Sequence, residues 1–402
     1  MELGAPPINN LEDLYDVLEQ MVRANPRTAD GRPTYAFALF SDWDGGSVRM
    51  VSEVLKLYGF HSNGLYDDLI FANFDYTQIA DLTDENGLYF QMLRLFNRAF
   101  RNGLLHPDSA TMSWDDYRHL INSGQVFHTW LSYASSSMIH TIGSATEDRY
   151  VFSFVPIGDS RIVVNGFNPY GSDFSIAIGS NATNPERLIE FLDWFASPEG
   201  VMMNHSLIEG LNYEIIDGRP AFIINDWTLR AWVDNLPFPE EFGWGTGGFA
   251  DGINQFHFSM VNINDINPMF NEPFNHALWQ STFEVQGNYL TEQWTERFGA
   301  ITPIEYLMNN NRLYVTPGIS FVMEERSTDM QLMRSQVQQL FNQTSWRMIY
   351  ANSEAEFYRL WDDMMAQMPG FGLEAVQADT MEAINLMAWE VARTISEFGG
   401  GQ

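Results

Sequence analysis

The 402-residue sequence predicts an α/β fold with a largely parallel sheet. Two observations support this prediction. Along the first 160 residues, amphipathic helical patterns alternate with short apolar runs, which is typical of strand–helix units. The chain is also longer than a single hydrophobic core normally allows, so two domains or lobes are expected.

The first part of the chain contains helices with recognisable start and stop signals. Asn10 and Ser113 are typical N-cap residues, and acidic residues follow each of them in the next turn. Gly59 and Gly103 end two further helices. The pattern predicts helices over 10–25, 48–57, 88–100 and 113–123, with apolar strands over 35–40 and 125–131.

The later elements follow from the same kinds of signal. Apolar runs at 151–157 and 174–178 indicate two more strands. Asn184-Pro185 and Ser197-Pro198 each place proline at the first position of a helix. The first of these helices is expected to bury the apolar face formed by Leu188, Phe191, Leu192 and Phe195. Further helices are predicted over 329–341, 353–368 and 380–398, whereas the pattern over 234–320 is too irregular to assign.

Composition excludes several classes of protein. With 52 acidic against 21 basic residues and a net charge of −31, the chain lacks the basic surface that nucleic acids need, and an anionic membrane would repel it. The sequence contains no cysteine, which excludes disulfides and a cysteine nucleophile within it. Its eight histidines show no metal-ligand spacing, and we predict no cofactor.

Two short motifs resemble ligand sites, and both have simpler interpretations. Gly243, Gly245 and Gly248 match the phosphate-binding G-x-G-x-x-G spacing, but no strand precedes them and no periodic helix follows. A loop rich in aromatic residues is the better interpretation. Asp42 and Asp44 resemble the start of a calcium loop whose closing glutamate is missing, so bound calcium stays an open question.

Aromatic residues beside carboxylates favour a carbohydrate ligand. Tryptophan rings stack on the apolar faces of sugars, while carboxylates accept hydrogen bonds from their hydroxyl groups. Trp43 and Trp130 each lie where a predicted strand ends, which is where α/β sheets bind ligands. The alternatives are that these rings belong to the core, or that a carboxylate pair makes the protein a glycan-active hydrolase.

Four stretches of the chain resemble one protein family. The most specific is NATNPERLIEFLDWFASPEGVMMNHSLIEGLNYEIIDGRP, and the others are NNLEDLYDVLEQM, INSGQVFHTWLSYASSSM and WRMIYANSEAEFYRLWDDMM. Their order is that of family 1 extracellular solute-binding proteins of bacterial ABC transporters. The resemblance is to the large lipoprotein subgroup of Gram-positive bacteria.

The resemblance implies a fold and a function. The fold is the two-lobed, type II periplasmic-binding-protein-like α/β fold, which closes on its ligand by a hinge. The function is capture of a sugar or oligosaccharide, without catalysis, and its delivery to the transmembrane permease subunits of an ABC importer. We expect an extracellular monomer on the cell surface, with no nucleic-acid partner.

The resemblance also implies an N-terminally truncated chain. In this family a signal peptide, a lipid-bearing cysteine and the first units of lobe 1 precede a helix like the one starting at Asn10. Lobe 1 is therefore expected to be incomplete, and the lipid anchor would lie outside this chain. We assign 1–160 to lobe 2, 161–215 to a crossover returning to lobe 1, and 216–402 mostly to lobe 2 with the C-terminal helices.

Mapping the family onto this sequence gives candidate ligand-binding residues and no catalytic or metal-binding ones. Trp43 and Trp130 are expected to stack on sugar rings, and Asp44 and Glu209 to accept hydroxyl groups. Glu209 is equally explained as a structural carboxylate in a turn. The other candidates are Asp42, Tyr133, Asn168, Tyr170, Trp232 and Trp244.

Overall fold

The computed structural model forms two compact units. The first consists of Met1–Ser136, Phe152–Pro169 and Pro303–Gln402, and the second of Ser137–Val151 and Tyr170–Thr302. Within these units the structure describes residues 6–61, 68–131, 134, 152–165, 176–204, 208–223, 225, 227–228, 236–243, 245–249, 251, 266–274, 276, 279, 281, 289–300, 303–316 and 325–398.

Helices account for most of the described regular structure. They are α1 (Leu11–Ala24), α2 (Arg49–Ser52), α3 (Leu88–Arg101), α4 (Trp114–Asn122), α5 (Pro185–Phe195), α6 (Pro198–Asn204), α7 (Tyr289–Phe298), α8 (Pro303–Asn309), α9 (Thr328–Ile349), α10 (Glu354–Gln367) and α11 (Leu373–Phe398). Short 3₁₀ turns cover Glu53–Leu57, Ser109–Thr111, Glu240–Phe242 and Met368–Phe371. No described helix combines the length and the apolar character that crossing a membrane requires.

The regular strands are short. They are β1 (Phe60–His61), β2 (Ile70–Asn73), β3 (Ile79–Asp81), β4 (Ile162–Asn165), β5 (Tyr213–Ile216), β6 (Arg219–Phe222), β7 (Ile266–Asn267), β8 (Glu272–Pro273) and β9 (Leu313–Thr316). In the first unit, β1, β2 and β3 form an antiparallel sheet in that order, and β4 pairs with β9 in parallel. In the second unit, β5 pairs with β6 and β7 with β8, both antiparallel.

The predicted helix starts are confirmed at three N-caps. The side chain of Asn10 accepts a hydrogen bond from the amide of Asp13 at 2.9 Å. Ser113 Oγ accepts one from the amide of Asp116 at 3.1 Å, and Ser353 caps α10 in the same way. Each cap satisfies an amide that has no partner within the first turn, so these helices begin where the sequence predicts.

The predicted strands over 35–40 and 125–131 are present as extended segments that run in parallel. Isolated bridges pair Tyr35 with Val126, and Phe37 with Leu105. Because the bridges are parallel, the carboxyl ends of these segments lie at the same edge. This is the arrangement expected of an α/β unit.

The prediction of a regular strand over 35–40 is nevertheless wrong. The amide of Leu39 donates to Ser109 Oγ at 3.1 Å, where a regular strand would use a backbone carbonyl of its neighbour. At Leu39, a side-chain oxygen thus takes the place of the backbone acceptor that a neighbouring strand would supply. Residues 36–40 are all buried, so the segment still lies in the middle of the core.

The C-terminal helices complete the core of the first unit. The ring of Phe90 on α3 packs edge-on against Trp361 on α10, with centroids 4.7 Å apart. Asn97, also on α3, is buried and donates to the carbonyls of Met348, Ile349 and Ala351 at 3.0, 3.2 and 2.7 Å. These bonds satisfy carbonyls at the end of α9. The predicted C-terminal helices are confirmed, and α9 and α11 are longer than expected.

The predicted strand over 151–157 is wrong for its described residues. Phe154 and Val155 are exposed, and residues 153–157 form no ladder. The chain packs instead against the segment before α1, where the amide of Gly158 donates to the carbonyl of Ile8 at 2.7 Å. A Cβ on Gly158 would lie 2.7 Å from the backbone of Asn9, so only glycine permits this approach. The strand that forms is β4, and residues 176–178, the described part of the other predicted strand, are not a strand.

The second unit contains a small described core. It consists of Val201, Met202, Tyr213, Phe274 and Trp279. On α5, the prediction of a buried apolar face is wrong except at Phe195, since Leu188 and Phe191 are more than 40% exposed. Among the described residues, α6 packs closely against the last turn of α5, where a Cβ on Gly200 would lie 2.7 Å from the Cα of Phe195.

Candidate functional site

Trp43 presents an exposed indole surface at the end of the extended segment 35–40. Its ring stacks on Trp114 with centroids 4.6 Å apart and an angle of 30° between the planes. Phe40 lies edge-on behind it at 4.9 Å. Trp43 is 41% exposed although it is supported by these rings. Trp43 and Trp114, called the tryptophan pair below, therefore offer a rigid aromatic surface to a ligand.

Two carboxylates fix the loop that carries Trp43. Asp42 Oδ2 accepts a hydrogen bond from the amide of Trp114 at 2.8 Å, at the first residue of α4. Asp44 Oδ2 accepts one from Trp346 Nε1 at 2.6 Å, and its Oδ1 accepts one from the amide of Arg49 at 2.8 Å. Burial of Asp44 raises the pKa of its carboxyl above the usual value. The loop is thus tied to α4, α9 and the start of α2.

Trp130 lies near the end of the second extended segment. It is partly buried, and its ring lies edge-on to His128 with centroids 4.0 Å apart. Burial lowers the pKa of His128 to about 3, so this imidazole is neutral at physiological pH. Because the two segments are parallel, Trp43 and Trp130 occur at the same edge of the first unit, as the sequence predicts.

Glu209 belongs to the second unit and lies in a turn before β5. The turn is closed by a hydrogen bond of 3.1 Å from the amide of Ile208 to Asn212 Oδ1, and Gly210 has a φ of +82°. Glu209 is exposed, and its carboxylate makes no hydrogen bond to any described residue. It is free to accept a hydrogen bond from a ligand, and it does not hold the turn together.

Five of the predicted site residues lie outside the described residues. They are Tyr133, Asn168, Tyr170, Trp232 and Trp244. Their roles stay predictions. The described candidates fall into a group at one edge of the first unit and a single residue, Glu209, in the second.

The sequence prediction missed Trp114 and Trp346. Trp114 follows the N-cap Ser113, and a tryptophan at the first position of a helix after a buried strand is a local signal that could have indicated it. Trp346 has no such signal, because it meets Asp44 across 302 positions of sequence.

The glycine motif forms a loop without a phosphate-binding helix. Gly243 and Gly245 have φ of +64° and +97°, and Gly248 forms an antiparallel bridge with Pro237. In the described part of this region, a 3₁₀ turn precedes the glycines and no helix follows. Among the described residues, His, Asp and Glu nowhere gather in threes that could hold a metal ion.

Comparison with known proteins gives matches among solved structures alone. No protein-family model and no curated protein matches the sequence. FusA of S. pneumoniae, an ABC-transporter substrate-binding protein solved in complex with kestose, is 12% identical, with a TM-score of 0.53 over 96% of this chain and 70% of FusA.

Two further structures match less well. An HMO-binding, ABC-transporter-associated solute-binding protein from Bifidobacterium longum infantis is 13% identical, with a TM-score of 0.47 over 94% of this chain and 70% of its own. The alginate-binding protein AlgQ2, solved without calcium ion, is 14% identical, with a TM-score of 0.42 over 96% of this chain and 69% of its own. The likeness to FusA confirms the predicted fold, that of ABC-transporter substrate-binding proteins.

Proposed function

We propose that this chain is the extracellular solute-binding component of an ABC importer and that it captures a sugar or oligosaccharide. The observation that carries the proposal is the tryptophan pair at the carboxyl ends of parallel segments, in a chain with the fold of a substrate-binding protein. The FusA neighbour was solved with kestose, which agrees with a carbohydrate ligand.

The proposed binding mode uses the exposed face of Trp43 as a stacking surface. The C–H groups of a sugar ring pack against an indole face, and the bracing of Trp43 means that little side-chain freedom is lost on binding. In the first unit, Asp42 is exposed and can accept hydrogen bonds from hydroxyl groups. Asp44 was predicted for this role, but both of its oxygens already accept hydrogen bonds from the protein. Glu209, in the second unit, is also exposed and stays a predicted acceptor. Trp130 is the second proposed stacking residue.

Binding without catalysis is favoured over glycan hydrolysis. A glycosidase needs two carboxyl groups that face the glycosidic bond, one of them able to donate a proton. On the Trp43 loop, Asp44 accepts hydrogen bonds at both of its oxygens and Asp42 at one of them. These hydrogen bonds give both carboxylates a structural role in bracing the loop.

The remaining parts of the proposal concern partners and location. A protein of this kind would meet the transmembrane subunits of a permease outside the membrane, as a monomer held by a lipid anchor. The lobe boundaries and the hinged closure taken from the family resemblance stay predictions.

Titration calorimetry with mono- and oligosaccharides tests the proposal on the full chain. We expect saturable binding without release of shorter products, and Trp43→Ala is expected to weaken it by about 1–3 kcal/mol, the scale of one lost aromatic stack. Trp389→Ala is the matched control, because Trp389 is 58% exposed on α11 and belongs to no proposed site.

Three results would contradict the proposal or a part of it. If products accumulate during the titration, the hydrolase alternative is supported. If no carbohydrate stabilises or binds the chain, a carbohydrate importer is excluded. Unchanged affinity in Trp43→Ala, with binding retained, would remove the tryptophan pair from the site.

A further inference from the structure

Arg118 on α4 forms no ion pair with a described residue, although carboxylates are abundant in this chain. The chain has 52 acidic residues and 21 basic ones, so carboxylates outnumber cations by more than two to one. Arg118 is nevertheless without an ion pair or hydrogen bond to any described residue. It is partly buried, and its Nε atom is buried with no hydrogen-bond partner. Because the Nε atom is buried, a carboxylate from a ligand would pair with the terminal nitrogens of the guanidinium.

The guanidinium of Arg118 lies beside the tryptophan pair. Its Cζ atom is 5.8 Å from the centre of the Trp114 ring, in cation–π contact. Side chains on a helix point towards its N-terminus, so Arg118 reaches back one turn to the start of α4. Trp114 in turn stacks on Trp43 at 4.6 Å. The cation thus adjoins the surface on which the proposed sugar stacks.

None of the nearby described carboxylates pairs with Arg118. Asp42 Oδ2 accepts from the amide of Trp114, and Asp116 Oδ2 accepts from Ser113 Oγ at 2.7 Å. Asp115 is exposed and makes no ion pair with Arg118, although it lies three positions earlier on the same helix. Among the residues that the structure describes, no carboxylate pairs with Arg118, and its positive charge is open to a group on a ligand.

We propose that Arg118 binds a carboxylate on the carbohydrate, so that the ligand is an acidic sugar or an oligosaccharide containing one. The proposal rests on the proposed function. A guanidinium presents its N–H groups as a planar fork that matches a carboxylate, and such charge-assisted pairs are stronger than bonds to neutral hydroxyl groups. A partly buried cation gains most from a partner that also neutralises it.

The net charge of the chain does not oppose this assignment at physiological salt. Charges further than about 8 Å from the site are largely screened at an ionic strength of 0.15 M, so the nearest cation dominates the interaction with a bound carboxylate.

The experiment compares acidic oligosaccharides with their neutral methyl esters. Oligosaccharides containing galacturonic, glucuronic or sialic acid, and the methyl ester of each, are titrated into the full chain. We expect at least one acidic oligosaccharide to bind roughly tenfold or more tightly than its ester, the effect of one charge-assisted contact. Arg118→Gln is expected to abolish that preference, because both the charge and the planar fork of N–H groups are lost.

Two variants make the test specific. Arg118→Lys keeps the charge without the planar fork and should retain part of the preference. Arg347→Gln removes an exposed arginine on α9 and should leave the preference unchanged. The thermal unfolding midpoint of each variant, measured without ligand, shows whether its fold is intact.

The outcomes separate this inference from the proposed function. Binding of neutral sugars with no gain for any acidic form overturns the acidic ligand and leaves the carbohydrate importer standing. A preference for acidic sugars that survives in Arg118→Gln overturns the role of Arg118. Failure of every sugar to bind overturns both proposals.

Discussion

The loop that carries Trp43 and the turn that carries Glu209 each hold a proposed binding residue, but they are stabilised in different ways. In the first unit, the carboxylates on either side of Trp43 accept hydrogen bonds from α4, α9 and the start of α2. In the second unit, the turn is closed by its own backbone and by Asn212, and the Glu209 carboxylate makes no hydrogen bond to a described residue. Structural roles and proposed binding roles are therefore joined at the Trp43 loop and separate at Glu209.

This difference has a measurable consequence. A substitution in the support of Trp43 should lower both stability and ligand affinity, because the same bonds serve both. A substitution at Glu209 should lower affinity alone.

Removing the aromatic support under the Trp43 loop should have the largest effect. Phe96 is fully buried, and its ring lies edge-on to Phe37, 5.5 Å away in the extended segment that ends in this loop. We expect Phe96→Ala to lower the free energy of unfolding by about 3–5 kcal/mol, measured by urea denaturation. Leu332→Ala, at a position 58% exposed on α9, should change it by less than about 0.5 kcal/mol. A small effect at Phe96 would show that this support is dispensable.

Acid should weaken the first unit through His128. Its pKa is lowered to about 3 by burial, so the unfolded chain binds a proton that the folded chain does not as the pH falls below about 6.5. Stability should therefore be lost between pH 6.5 and 3, at no more than about 1.4 kcal/mol per pH unit from this residue.

The variant His128→Phe isolates this contribution. It should reduce the pH dependence of the unfolding free energy over that range, whereas His119→Gln, at an exposed position on α4, should not. Identical pH profiles for the wild type and His128→Phe would exclude His128 as a source of acid sensitivity.

Removing one bond of the Trp43 loop should affect stability and affinity together. Trp346→Phe keeps an aromatic ring but removes the N–H that Asp44 accepts, and we expect a loss of about 1.5–3 kcal/mol in unfolding free energy. A several-fold rise in the Kd for the sugar should accompany it, because Trp43 is then less firmly held. Calorimetry and denaturation of the same sample measure both effects, and a loss of stability with unchanged affinity would contradict the joined roles.

The smallest effect on stability is expected at Glu209. Since its carboxylate has no hydrogen bond to a described residue, Glu209→Gln should change the unfolding free energy by less than about 0.5 kcal/mol. The variant should still weaken sugar binding if Glu209 accepts a hydroxyl group, as proposed. Unchanged affinity would leave Glu209 as an ordinary surface carboxylate.

Local signals in the sequence predicted much of the helical structure. The caps at Asn10, Ser113 and Ser353 were identified because capping uses side chains within three residues of the amide that they satisfy. The position of Trp43 at the end of a parallel segment was predicted for a similar reason, since the apolar run before it is contiguous. These features depend on neighbours in the sequence.

Features that depend on distant parts of the chain could not be predicted in this way. The partner of Asp44 is Trp346, and the amide of Leu39 takes a serine hydroxyl 70 positions away as its acceptor. Burial of α5 also depends on what packs against it, so its apolar pattern overstated how much of its surface is covered. Arg118 shows the same limit, because whether a side chain forms an ion pair depends on residues that are distant in the sequence.

The buried Asn97 has a consequence for the time at which the protein can fold. Its amide donates to carbonyls that are synthesised 251 to 254 residues later, at the end of α9. At a synthesis rate of roughly 5–20 residues per second, the apolar face of α3 remains uncovered for about 10–50 s, until the helices that pack against it have been synthesised. The first unit therefore completes its core only after α9 and α10 have been synthesised, and the growing chain must be kept from aggregating during that interval.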